Sequence, residues 1–151
     1  MKLTMKRLGT ILLLCAACMG TVSPARAEDV VPLKTTDAAL EVTEQIMNKV
    51  SEGDLENAIR AMRPYFRIPD AEFNILLEQS KMQIPAISSR FGTPLEHELI
   101  ERRFVGKSLM MIVHLQKYTF HAMRWEFLFY NPDGSWYINS FNFDDKIKEL
   151  F

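Results

Sequence analysis

The segment from Lys117 to Asp145, KYTFHAMRWEFLFYNPDGSWYINSFNFDD, restricts the fold more than any other part of the chain. Trp125, Phe127 and Phe129 recur at every second position, the pattern of a strand with one buried face. Asn131-Pro132-Asp133-Gly134 then breaks the run. Proline presets φ and glycine accepts a positive φ, so this tetrapeptide reads as a turn. Ser135 to Phe143 runs back as the partner strand. The hairpin is architecture rather than chemistry.

The start of the 151-residue chain belongs to a different kind of segment. Lys2, Lys6 and Arg7 make a basic beginning, Leu8 to Ala17 a short apolar run, and Ala25-Arg26-Ala27 a small-residue cleavage site. This is the order of a secretory signal peptide over residues 1–27, and the apolar run is too short to span a bilayer. The expected product is exported, periplasmic or secreted. Leu14-Cys15-Ala16-Ala17-Cys18 offers an alternative, a lipoprotein anchored at Cys18, although Cys15 stands where such a motif wants leucine. Removing residues 1–27 takes away four of the 18 basic residues, none of the 19 acidic ones and both cysteines. The mature chain then has 14 bases against 19 acids, a net charge of −5. That balance argues against nucleic-acid binding, which needs a basic footprint. The absence of cysteine removes thiol nucleophiles, disulfides and cysteine-ligated metals.

Residues 28–36 read as a disordered leader and 37–151 as one domain. Asp37 is the expected cap of a first helix ended by Gly53, and Asp54 the cap of a second that stops before Pro64. Asp70 is the expected cap of a third, with Pro85 kinking it. Four strands follow: Leu95–Val105, Ser108–Tyr118, Ala122–Tyr130 and Ser135–Phe143. Three helices and then a meander is the order of an α+β domain. If Thr119–His121 is a three-residue loop, Leu115 faces Trp125, Val113 faces Phe127 and Met111 faces Phe129, apolar against apolar.

On that register His114 faces Glu126, with Glu101 diagonal to it. A histidine between two carboxylates suits a general base or a metal site; the plainer reading is a solvated ion-pair patch on the face turned from the helices. His97, His114 and His121 share no metal-ligand spacing, so no metal set and no cofactor motif is read from the residues. Arg102, Arg103 and Arg124 suit an anionic ligand or pairing with neighbouring acids. Trp125, Phe127, Phe129, Trp136 and Met111 are the candidates for an apolar ligand pocket, against plain core packing. Ile112, Leu128 and Tyr130 make the opposite face apolar as well, to be covered by Ile147, Leu150 and Phe151 or by a second copy.

Phe91-Gly92-x-Pro94, Lys117-Tyr118-x-x-His121-x-x-x-Trp125-x-Phe127-x-Phe129-Tyr130, Trp136 and Phe143-Asp144-Asp145, with Gly53-Asp54-Leu55-Glu56-x-Ala58, resemble exported bacterial proteins of the NTF2-like, cystatin-like α+β superfamily. The resemblance implies a cone: a curved four-stranded sheet wrapped on the helices, with room for a pocket, and pairing through the outer sheet face to give a homodimer. It implies no particular activity, since such folds host enzymes, binders and dimerisation domains. The function expected is a non-catalytic accessory module of the bacterial envelope that binds a small apolar molecule or a protein. The alternatives are an isomerase- or lyase-like enzyme with a carboxylate or His in the cone, and a structural homodimerisation domain.

Overall fold

The structure is a computed structural model whose described residues are 30–151. The expected signal peptide lies outside them. Helix α1, Thr36–Ser51, turns a stripe of Ala39, Val42, Thr43, Ile46, Met47 and Val50 inward, the spacing of an amphipathic helix. Its cap is Thr35, whose hydroxyl accepts the Ala38 N–H at 3.0 Å. Asp37, the expected cap, sits in the first turn and pairs with Arg102 at 2.8 Å. Gly53, with φ +82°, lets the Gly53 and Asp54 N–H groups fold back on the Val50 and Lys49 carbonyls, which seals the helix. Asp54 caps α2, Leu55–Arg60, as expected.

The third helix is broken rather than kinked, into α3, Asp70–Lys81, and α4, Ile84–Phe91. Pro85 lies in the first turn of α4, where a missing N–H costs no hydrogen bond. Asp70 is the first residue of α3, not its cap, and is drawn instead into an ion pair with Arg63.

The second half is an open antiparallel meander of β1, Pro94–Val105; β2, Leu109–Tyr118; β3, Ala122–Tyr130; and β4, Tyr137–Asp144. The architecture is therefore α+β. The register between β2 and β3 differs by one residue from the expected one. Trp125 pairs with His114, Phe127 with Ile112 and Phe129 with Met110. The Tyr118 N–H bonds the His121 carbonyl at 2.9 Å, so only Thr119 and Phe120 form the turn. That turn is held from outside. The Thr119 and Phe120 N–H groups bond the Thr93 and Phe91 carbonyls, each at 3.0 Å. Gly92, with φ +83°, makes the approach possible, since a Cβ there would stand 2.1 Å from the Thr119 hydroxyl. A one-residue slip exchanges the faces of a strand. Met110, Ile112, His114 and Gln116 therefore face the helices fully buried, while Met111 and Leu115 are half-buried on the other side.

Trp125, Phe127 and Phe129 are inward as expected, with no exposed surface. Between β1 and β2 the turn has three residues, and a bulge at Ile100 then brings Leu99 opposite His114. The segment expected to be a disordered leader is held in its described part. Leu33 is buried and exchanges backbone bonds of 3.1 and 2.7 Å with Trp136. On the outer sheet face Arg124 is 6 % exposed and pairs with Asp144 and Glu149 at 2.9 and 2.8 Å, which ties the closing turn Ile147–Leu150 to that face. Ile112, expected there, is in the core. Among the described residues no helix is long and apolar enough to cross a membrane.

The register makes a testable distinction. Ile112→Ala should cost about 2–5 kcal/mol in urea unfolding, whereas Met111→Ala should cost less than about 1 kcal/mol. The reverse order would restore the register expected from the sequence.

Candidate functional site

The inward face of β2 changes character along its length. Met110 and Ile112 are apolar, but His114 and Gln116 are polar and equally buried, at 0 % exposure. Polar groups at that depth need partners. They find them on α1, where Thr43 interrupts the apolar stripe and Glu44 and Ser51, seven residues apart, lie on one side of the helix. The pairing of β1 with β2 adds His97, opposite Gln116. The result is a polar seam between α1 and the β1–β2 hairpin. His97 Nε2 is 3.0 Å from Glu44 Oε2, and His114 Nδ1 is 3.8 Å from Glu44 Oε1. The two imidazole rings meet edge to face with centroids 5.7 Å apart.

Hydrogen-bond direction places a hydrogen on the outward nitrogen of each histidine. The Thr43 hydroxyl donates its single proton to the Leu40 carbonyl at 2.8 Å. It can only accept from His114 Nε2, at 2.9 Å, so that nitrogen carries the hydrogen. The Gln116 amide donates to the Leu95 and Lys117 carbonyls, each at 3.0 Å, which turns its oxygen toward Ser51. Ser51 donates to that oxygen at 2.9 Å and accepts from His97 Nδ1 at 3.0 Å. Both histidines thus donate an N–H outward. Both inward ring nitrogens face the Glu44 carboxylate: His97 Nε2 is hydrogen-bonded to Glu44 Oε2 at 3.0 Å, whereas His114 Nδ1 stops 3.8 Å short of Oε1. His114 Nδ1 is buried without any partner; the other such side-chain atom among the described residues is Trp125 Nε1.

The candidates read from the sequence are separated by the register. His114 goes into the seam, while Glu101 and Glu126 both pair with Val113 on the outer face, where Glu126 lies 3.4 Å from Arg124. The expected His114–Glu126–Glu101 group does not form. Trp125, Phe127 and Phe129 are packed into the interior, with Phe143 stacked on Trp125 at 4.7 Å. Trp136 lies against Phe104, and Met111 faces away. Beside this wall an open groove of about 270 Å³ is lined by Ile87, Phe91, Met123 and Phe143, with Arg90 and Asp145 paired at 2.6 Å at its rim. Arg102, Arg103 and Arg124 are all paired with acids.

Glu44 and the role of His97 escaped the sequence reading. His97 and His114 are seventeen positions apart, and only the β1–β2 pairing unites them. The available signal was Thr43, a polar residue on the buried stripe of α1. Comparison with protein families, curated proteins and solved structures finds no match for this chain.

Burial pushes the His114 imidazole down to about 4 from its ordinary 6.5; Glu44 opposes the shift and His97 adds to it. An unfolded chain therefore takes up this proton at higher pH than the folded one. The stability involved is complete above about pH 6.5 and is lost as pH falls toward 4. The urea midpoint should drop through that window. His114→Gln, which keeps a donor for Thr43 but does not titrate, should flatten the drop.

Proposed function

We propose that the protein is an exported, non-catalytic binding module of the bacterial envelope, built as an NTF2-like cone, and that its ligand seat is the Glu44–His97–His114 seam. The cone reading is supported by the order of elements, helices first and then a four-stranded meander whose inner face packs on them. The observation that carries the seat is the inward set of ligating atoms. Two ring nitrogens and a carboxylate converge, and one of those nitrogens, His114 Nδ1, is buried without a partner. An occupant that is cationic or rich in hydrogen-bond donors completes the set; a purely apolar one leaves His114 Nδ1 unsatisfied. Glu44, with 39 % of its side chain exposed, is the side from which an occupant enters.

Export is checked by mass spectrometry of the mature chain, which should begin at Glu28; a lipidated Cys18 at the N-terminus would make it an anchored protein instead. The seat is checked by thermal shift with a panel of cations and small donors. A bound occupant at a hundred times its Kd adds about 2.7 kcal/mol to stability. That gain should vanish in His97→Asn and Glu44→Gln and persist in Phe143→Leu at the groove. The opposite pattern would move the seat to the groove.

A further inference from the structure

The seam is specific about what it takes. We infer that it is a binding site for one divalent transition-metal ion, ligated by Glu44, His97 Nε2 and His114 Nδ1. This rests on the seam being the ligand seat. The three donor groups offer atoms that all lie within 4.8 Å of one another. Metal–ligand bonds of about 2.0–2.2 Å place neighbouring donors roughly 3–3.5 Å apart. The separations of 3.0 and 3.8 Å from Glu44 are close to this, and the third pair, the two ring nitrogens, lies within 4.8 Å, so taking up an ion draws the three groups together.

The bond between His97 Nε2 and Glu44 leaves His114 Nδ1 buried, without a partner and 3.8 Å from the carboxylate. One ion shared by the three groups gives His114 Nδ1 the partner it lacks. The outward bonds are those a metal site uses to orient its ligands: His114 Nε2–H to Thr43, and His97 Nδ1–H to Ser51, itself fixed by Gln116. Two imidazoles and one carboxylate favour zinc, cobalt, nickel, copper or iron over magnesium or calcium, which prefer all-oxygen shells. Three protein ligands leave coordination positions open on the solvent side of Glu44.

The test uses the exported chain prepared without a histidine tag and titrated with Co(II) and Zn(II). Cys15 and Cys18 both lie in the expected signal peptide, so visible Co(II) bands cannot come from thiolate. One ion per chain is expected, displaced by Zn(II) and not by Mg(II). His97→Asn and Glu44→Gln, both at partly exposed positions, should abolish binding, and Ser51→Ala should weaken it about 10–100-fold. Circular dichroism confirms that each variant is folded, and long-range nitrogen-15 spectra of the metal-free protein should show the Nε2–H form of His114. Absence of saturable binding, or binding indifferent to His97→Asn and Glu44→Gln, would overturn the metal assignment. If the thermal-shift panel still finds a seam-dependent organic ligand, the seat survives and the metal falls; if no ligand depends on these residues, both fall.

Discussion

Two backbone hydrogen bonds decide which side of β2 meets the helices. Thr119 and Phe120 are bonded to Thr93 and Phe91, so the tip of the β2–β3 hairpin is clamped to the junction between α4 and β1. The clamp holds the turn to two residues, and that count propagates along the strand. With one more residue in the turn, Met111 and Val113 would face α1. With the clamp, Ile112 and His114 do. The hydrophobic content of the two faces is similar, so burial alone does not choose between them. A tertiary contact between segments 26 residues apart makes the choice.

This explains what the amino-acid order revealed and what it hid. The inward set on β3 was legible because Trp125, Phe127 and Phe129 are together larger and more apolar than Arg124, Glu126 and Leu128, which alternate with them. The ends of α1 and α2 were legible because Gly53 and Asp54 act through local backbone geometry. On β2 both faces carry aliphatic side chains, and period-two reasoning has nothing to separate them by. The same ambiguity hid the seam. His114 paired on paper with Glu126, its neighbour under the other register. Its true neighbours, Glu44 and His97, come from an early helix and from a strand whose alignment depends on a bulge at Ile100. No local spacing encodes that meeting.

The seam is an expensive feature for a core of this size. Thr43, His114 and Gln116 are as deeply buried as the aromatic residues beside them. Leucine or methionine in those places would cost less in desolvation. The hydroxyls and the amide are arranged so that nearly every polar atom is answered, and the unanswered histidine nitrogen points toward Glu44. The arrangement also freezes imidazole orientation: each ring is held by a hydroxyl whose own proton is already committed elsewhere. Rotation of the His97 ring would break a chain of bonds reaching from α1 to the backbone of β1 and β2, and rotation of the His114 ring would break its bond to Thr43 on α1.

The glycine at the clamp has a different consequence from the glycine at the far hairpin. Around Gly92 the space a side chain would need is taken by Thr119 and Phe120, whereas around Gly134 there is open space. The two ends of the meander therefore differ in tolerance for foreign sequence. A reporter peptide or fluorescent label spliced in near Gly134 would hang free of the body, while the same graft between Thr119 and Phe120 would pry apart the joint between helices and sheet and scramble which residues line the interior.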